Sequence, residues 1–142
     1  MKDLNLPILG PYKFEDGSIY YGQMKLGKKH GYGRLMQANG SIYEGFWDND
    51  VPHGYGRNIF AEGDAYEGQL NQGVSQGKGK SINEEGVIYH GFWDNDEKSG
   101  KGTEKHPNGD KFKGIFANDQ KNGKGHFVWN DGSSYKGNFT NG

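Results

Sequence analysis

An aromatic ring recurs every 23 residues along this chain of 142 residues. Glycines keep the same period: one follows each ring by two positions, and a Gly-x-Gly pair begins eleven positions after each of the first five rings. The rings are Tyr20, Tyr43, Tyr66, Tyr89, Phe112 and Tyr135. A fixed period in the twenties is typical of repeat arrays, in which neighbouring copies of one small unit stabilise each other. This periodicity predicts a repeat fold, although a mean hydropathy of −1.02 would by itself lean toward disorder.

The period divides the whole chain, residues 1–142, into one domain of repeats. A partial repeat at 1–19 precedes five full repeats at 20–42, 43–65, 66–88, 89–111 and 112–134, and a partial repeat follows at 135–142. The last partial repeat contains only the first strand of its unit. We therefore expect either a truncated chain or a terminal strand edge that is covered by a partner or by self-association.

Each repeat, counted from its ring as position 1, contains two alternating segments, over positions 1–5 and 12–18, which is the period of β-strands. Asn-Gly, Glu-Gly or Asp-Gly at positions 20–21 indicates a hairpin turn. A three-residue turn at positions 19–21 pairs position 16 with the rings on both sides and leaves positions 6–11 as a second loop. The resulting charge ladder alternates in sign, which supports this register; it runs Arg34, Glu44, Arg57, Glu67, Lys80. We predict an all-β fold, an elongated single-layer antiparallel sheet of stacked 23-residue β-hairpins.

One face of this sheet would carry the rings, the bulky residues at position 5 and the glycines, and we call it the aromatic–glycine face. We predict a partner-binding groove here, because glycine permits close approach of a partner and Tyr and Trp are enriched in binding hot spots. The alternative is that the rings pack over neighbouring glycines and simply stabilise a single-layer sheet. The predicted groove residues are Tyr20, Tyr43, Trp47, Tyr66, Leu70, Tyr89, Trp93, Phe112, Phe116 and Tyr135.

The opposite, outward face would carry the charge ladder. Glu44 and Glu67 neutralise its first half, which leaves a net basic patch of Lys78, Lys80, Lys101 and Lys124. One interpretation is a face for anionic lipid headgroups, where each basic residue contributes ~1 kcal/mol. The other is an ordinary solvated surface.

Several classes of function are disfavoured by the sequence. A net charge of −1 does not favour nucleic acid, and the lack of cysteine excludes a thiolate metal site. The Gly-x-Gly pairs lack the following helix of a nucleotide site. Acidic residues of the second loop, such as Asp50 and Asp96, are interpreted as solvated turn residues, because a Ca²⁺ loop needs more oxygens. We predict no catalytic residues, no metal and no cofactor.

The segment from Tyr43 to Gly56, with Tyr43-Glu44-Gly45-Phe46-Trp47 and His53-Gly54-Tyr55-Gly56, resembles the MORN (membrane occupation and recognition nexus) repeat. The resemblance covers about residues 10–142, although Gln76, Ser99 and Asn122 replace the histidine in later repeats. It implies a hairpin array with a groove, used as an interaction scaffold. Members occur in ciliary and radial-spoke proteins, junctophilins, apicomplexan division scaffolds, plant phosphoinositide kinases and a lysine methyltransferase.

The resemblance therefore implies a non-enzymatic cytoplasmic scaffold in a cytoskeletal or ciliary assembly. Its partner would be a helix or an extended segment of another protein, held in the aromatic–glycine groove. Two alternatives stay open: a membrane-associating module that binds anionic phospholipid headgroups, and a regulatory fragment of a larger enzyme.

Overall fold

Twelve antiparallel strands joined by tight turns make up the described part of the chain. The computed structural model describes residues 6–140, within which no helix occurs. Each strand neighbours the next in chain order within one open sheet, so the all-β hairpin prediction is confirmed. The strands are β1 Leu9–Lys13, β2 Ile19–Lys25, β3 Lys28–Met36, β4 Ile42–Asp48, β5 Val51–Ile59, β6 Ala65–Asn71, β7 Val74–Ile82, β8 Ile88–Asp94, β9 Glu97–Lys105, β10 Lys111–Ala117, β11 Gln120–Val128 and β12 Ser134–Phe139. The chain forms two compact units, unit 1 (residues 1–74) and unit 2 (residues 75–142).

The three-residue turn has the predicted geometry. In the repeat that starts at Tyr43, Phe60 N–H donates to Asp64 O at 2.9 Å and Gly63 N–H donates to Phe60 O at 3.0 Å. Gly63 has a φ of 105°, which an L side chain rarely adopts. The predicted register follows, since Asn58 pairs with Tyr43 in its own hairpin and with the ring of the next repeat.

The second loop is shorter than predicted, and the expectation of a six-residue loop over positions 6–11 is wrong. A two-residue turn at positions 7–8 connects the strands, with Asn49 and Asp50 both at positive φ, 47° and 72°. Short polar side chains tolerate this conformation, which matches the twist of a hairpin. The remaining residues form a bulge, because β4 and β5 shift register between Gly45 and Trp47 and Gly54 takes a φ of 92°.

The two-residue turn also clamps each hairpin to the preceding one. Lys29 N–H donates to Asp50 Oδ1 at 2.7 Å, and Asp50 N–H donates back to Lys29 O at 2.9 Å. Pro52 has no N–H to donate, and the facing turn residue is Gly73, whose N–H still donates to Pro52 O at 2.7 Å. The turn carboxylates are exposed, as expected of solvated turn residues, and they are also hydrogen-bond acceptors between repeats. The same paired bonds link Asp96 to Ser75 and Asp119 to Lys98.

The two glycines of each Gly-x-Gly pair serve different purposes. The first provides the positive φ of the bulge, as at Gly54. The second makes room for a ring, because a Cβ on Gly56 would lie 2.6 Å from Tyr43 Cζ. Tyr43 Oη donates to Phe46 O at 2.8 Å, which holds the ring down over the glycines. A single layer of strands thus obtains a packed core on one face.

Candidate functional site

The aromatic–glycine face of unit 1 is a closed array of perpendicular rings. The Trp47 ring lies edge-on between Tyr43, at a centroid distance of 5.0 Å, and Tyr20, at 5.7 Å. Its Nε1–H donates to Gly33 O at 3.0 Å, so the indole has a polar partner within the layer. Tyr66 and Leu70 continue the array. All five predicted groove residues of this unit are buried.

Unit 2 repeats this packing with its own rings. Tyr89 contacts Trp93 at 5.2 Å and Phe116 at 4.9 Å, and Phe112 contacts Phe116 at 5.4 Å. These four predicted groove residues are also buried, whereas Tyr135 is 47% exposed. Edge-to-face ring pairs of this kind each contribute about 0.5–1.5 kcal/mol beyond the area they bury. The arrangement therefore has the geometry of the alternative interpretation, in which rings pack over glycines.

Burial also determines the protonation state of the tyrosine hydroxyls. It raises the pKa of Tyr89 to about 12, and burial raises the pKa values of Tyr20 and Tyr43 further. These hydroxyls stay protonated at neutral pH and act as hydrogen-bond donors to backbone carbonyls. They provide no activated nucleophile.

Exposed apolar side chains lie on the same face of unit 1, beside the buried rings. Phe14 and Phe60 are 37% and 38% exposed, and Leu35 between them is half-buried. Lys29 Nζ stands 4.5 Å from the centroid of Phe14 and 5.5 Å from that of Trp47. We call Phe14, Leu35 and Phe60 the apolar rim. Sequence reasoning missed it, although alternation places position 18 on the same side as position 16.

The corresponding surface of unit 2 contains a buried carboxylate. Glu104 occupies position 16, between the rings of Tyr89 and Phe112 in the strand register. Lys121 Nζ lies 3.1 Å and Lys98 Nζ 3.8 Å from its oxygens. The two ammonium groups also lie over the neighbouring rings, 5.4 Å from the Tyr89 centroid and 5.3 Å from the Phe112 centroid. The lysine stems therefore cover the rings while Glu104 fixes both heads.

The electrostatics of Glu104 follow from these contacts. Burial raises the pKa of Glu104. The hydrogen bonds from His106, at 2.8 Å, and from Lys121 lower it, as do the charges of Lys121 and Lys98, and together they outweigh the effect of burial. The net pKa lies below the usual value, so the carboxylate is ionised at neutral pH. Sequence reasoning missed this cluster. The sequence does contain a signal for it. Glu104 stands at position 16, where other repeats have Leu35 or Phe127, and position 10 is lysine in two successive repeats, at Lys98 and Lys121.

The outward face of unit 2 is strongly basic. Three rows of outward side chains cross its strands, and within residues 78–138 none of them is acidic. The four predicted lysines lie here and are exposed, and four more share the face. We call this set the lysine face: Lys78, Lys80, Lys101, Lys105, Lys111, Lys113, Lys124 and Lys136. Lys105 and Lys111 are directly opposite each other, a pairing that costs stability unless an anion screens it.

Two equivalent clefts indent the lysine face one repeat apart. The first, of about 360 Å³, is lined by His90, Lys101, Lys113 and Ile115. The second, of about 510 Å³, shares Lys113 and is lined by the next copies of the same positions, including Lys124, His126 and Lys136. The glycine backbone at Gly102 and Gly125 lines the clefts as well. Each cleft therefore presents ammonium groups around an open floor.

Residues 6–140 lack two other kinds of site. No group of three or more His, Asp or Glu side chains within residues 6–140 is close enough to hold a metal ion. Nor does that part contain a helix that could serve as a membrane span.

Comparisons with known proteins agree with the repeat architecture. A family model described as the MORN repeat matches residues 20–42, 43–65, 66–83, 89–111 and 112–134. No curated protein matches the chain in sequence. Thirty-one chains of solved structures match it in fold. One is the TCP domain of SAS-4 (dCPAP) of Drosophila melanogaster, in complex with a proline-rich motif of Ana2 (dSTIL). It is 11% identical with a TM-score of 0.43, and the match covers 89% of this chain and 81% of that one.

Proposed function

Because the chain belongs to the MORN repeat family, we propose that it is a non-enzymatic scaffold that holds a segment of another protein on its aromatic–glycine face. MORN repeat proteins are generally non-enzymatic binding modules. The proposal follows from this and from the apolar rim of unit 1. The partner segment is a helix or an extended strand that lies across the strands of the sheet.

The apolar rim is the observation that carries the proposal. Phe14, Leu35 and Phe60 stand on one side of a layer whose rings are fixed by packing and hydrogen bonds. A group of exposed apolar side chains on one side of a sheet is a candidate binding surface. A rigid platform also lowers the entropic cost of binding, because few side chains need ordering when the partner arrives. The predicted groove rings would then support the contact from beneath.

Crosslinking mass spectrometry in native extract, with the chain as bait, tests this proposal. We expect partner crosslinks near β1 and β5, and we expect the double variant Phe14→Ala/Phe60→Ala to lose those partners while keeping its unfolding transition. Tyr55→Ala is the matched control, because Tyr55 is an exposed ring of unit 1 on the outward face. Substitution of Trp47 is less informative, since it removes a buried ring. Retention of every partner by the rim variant would count against the proposal.

The proposed setting is a cytoskeletal or ciliary assembly in the cytoplasm, which rests on where the family occurs. Fluorescence microscopy of the tagged chain in ciliated cells, after detergent extraction, tests it. Retention on axonemes or on the cytoskeleton supports this setting, and complete extraction with soluble proteins opposes it.

A second candidate function is a membrane-associating module, and the lysine face specifically favours it. Eight exposed lysines share this face, twice the number predicted from the sequence. Each basic residue near an anionic surface contributes ~1 kcal/mol to membrane binding. Flotation with vesicles that contain a phosphoinositide tests it. We expect binding at low salt that Lys113→Glu/Lys136→Glu abolishes and that Lys25→Glu, on unit 1, leaves intact. Absence of flotation for the unsubstituted chain at low salt would remove this candidate.

A further inference from the structure

The outward face of unit 1 carries a charge pattern that is its own complement. Arg34 pairs with Glu44, Glu44 with Arg57, and Arg57 with Glu67 in the strand register, and all four side chains are exposed. The order across β3, β4, β5 and β6 is therefore plus, minus, plus, minus. Read in the reverse direction, the same row becomes minus, plus, minus, plus. A surface that fits this row must present the reversed sequence of charges.

We infer that a second copy of the chain docks on this face through a two-fold axis that runs along the strands between β4 and β5. Such an axis reverses the strand order and keeps each row over its own counterpart. It places Glu44 of one copy opposite Arg57 of the other, and Arg34 opposite Glu67. Every ladder charge thereby meets one opposite charge, and each of these contacts occurs twice, as an isologous interface requires.

The rows beside the ladder suit the same axis. One row is aliphatic and runs through Met36, Ile42 and Ile59, which pair across neighbouring strands. The other contains Phe46 and Tyr55, which lie on β4 and β5 respectively. The two-fold axis sets Ile42 against Ile59 and Phe46 against Tyr55 of the partner copy. Aliphatic side chains thus meet aliphatic side chains on one side of the charged central row, and aromatic rings meet on the other side, where Tyr32 and Gln69 form the outer pair.

The size of the patch predicts a weak, reversible dimer. Four strands at ~4.8 Å spacing and seven residues at ~3.3 Å give about 440 Å² per copy. Specific stable interfaces bury about 600–1,000 Å² per partner, so this patch falls below that range, in the size class of weak, transient contacts. The aromatic–glycine face is on the other side of the sheet and stays free for a partner. The inference is therefore independent of the proposed function, and either can fail alone.

Charge complementarity commits the face to a second copy. The outward face of unit 2 cannot pair with itself, because its rows contain lysine without an acidic counterpart. A uniformly anionic or cationic partner would meet repulsion at half of the ladder on unit 1. Only a surface that alternates with the strand spacing satisfies every position, and the reversed ladder of another copy has that spacing by construction.

Sedimentation equilibrium of the full chain, from ~10 µM to ~500 µM, measures the association. We expect dimers at the upper end of this range at ~0.05 M salt and fewer at ~0.5 M salt. Arg57→Glu and Glu44→Arg each place like charges together at the axis, and we expect each to weaken the dimer about tenfold or more. Circular dichroism confirms that each variant is folded.

Mixing the two variants provides the decisive measurement. The two acidic side chains of one chain then face the two arginines of the other, so the two variants should associate with each other more strongly than either associates with itself. Lys113→Glu, on unit 2, is the control and should leave the association unchanged. The inference is overturned if the unsubstituted chain is monomeric throughout, if either single variant dimerises as strongly as the unsubstituted chain, or if the mixture associates no more strongly than the single variants. A dimer that persists in Arg57→Glu would place the contact elsewhere, such as at a terminal strand.

Discussion

Gly56→Ala tests the central claim about the fold, that each ring needs a bare backbone beneath it. The new Cβ would lie 2.6 Å from Tyr43 Cζ, which real side chains do not tolerate. Gly56 does not have the positive φ of the turn glycines. Alanine is therefore not strained at this position, and the effect of the substitution is steric. The Tyr43 ring must lift away from the sheet.

The cost can be assembled from the contacts that the ring would lose. The hydrogen bond from Tyr43 Oη to Phe46 O, now 2.8 Å long, contributes ~1 kcal/mol. The edge-to-face contact with Trp47 contributes ~1 kcal/mol. Exposure of roughly 50 Å² of ring surface costs ~1.2 kcal/mol at ~25 cal/mol per Å². We expect Gly56→Ala to lower the free energy of unfolding by about 3 kcal/mol.

Urea unfolding followed by circular dichroism measures the loss, and two controls separate its causes. Gly54→Ala meets only Phe46 Cβ, at 3.6 Å, so its cost is the backbone strain of a positive φ, about 1–2 kcal/mol. In a Tyr43→Leu background the outer ring atoms are gone, and Gly56→Ala should then cost ~1 kcal/mol or less. If Gly56→Ala costs the same with or without the Tyr43 ring, the reasoning is refuted.

Two further substitutions probe contacts that the sequence did not reveal. Asp119→Ala should lower the free energy of unfolding by ~2 kcal/mol in urea, because it removes the acceptor for Lys98 N–H and strains a residue at φ 69°. Asp119→Asn keeps an acceptor and should cost under ~1 kcal/mol. Equal losses of stability in the two variants would show that the hydrogen bond from Lys98 does not stabilise the fold. Glu104 has a lowered pKa in the folded chain, so its contribution to stability is complete above 4.5, the ordinary pKa of a glutamate, and is lost as the pH falls through the lower pKa of the folded chain. Glu104→Gln should flatten the fall in unfolding free energy below about pH 5, and an unchanged pH profile would show that Lys121 and His106 do not stabilise the carboxylate.

The strand register could be predicted because two independent signals agreed. Dipeptides such as Asn39-Gly40 fixed the turn, and the requirement that every repeat look alike fixed position 16 opposite the rings. Side chains directly across a strand pair share a face, so the positions of Arg34, Glu44 and Arg57 followed without further assumptions. Periodicity of this kind removes most of the freedom that makes sheets difficult to predict.

The second turn could not be predicted by the same parity argument. Two non-glycine residues at positive φ, such as Asn49 and Asp50, cost energy in isolation, and a long polar loop avoids that cost. The structure offsets it with backbone hydrogen bonds from the preceding repeat, which are invisible in a single repeat read alone. The Asn-Asp pair is itself a turn signal. Gly73 occupies the position of the turn aspartate in the next repeat, and the residue it faces, Pro52, has no N–H that an aspartate could accept.

The candidate surfaces were likewise predictable only in part. The ten predicted groove residues could be placed on one face because they carry the period, yet period and exposure are different properties, and nine of them are core. Phe14 and Phe60 do not recur in every repeat, so a search for periodic residues passes over them. Half of the lysine face was also missed. Lys105 and Lys111 depart from the repeat, because the preceding repeat carries the aliphatic pair Ile82 and Ile88 at these positions.

These outcomes indicate where function can vary on such a fold. Positions 1, 3, 12 and 14 are restricted by ring packing and backbone conformation, so substitutions there change stability first. Outward positions and positions 16 and 18 face little steric demand, and they differ most between the two units: Arg57 and Glu67 alternate in unit 1, whereas Lys113 and Lys136 stand alone in unit 2. A binding defect from a substitution at a restricted position is therefore weak evidence for a site. A defect from an unrestricted position, with unfolding unchanged, identifies the surface that recognises a partner.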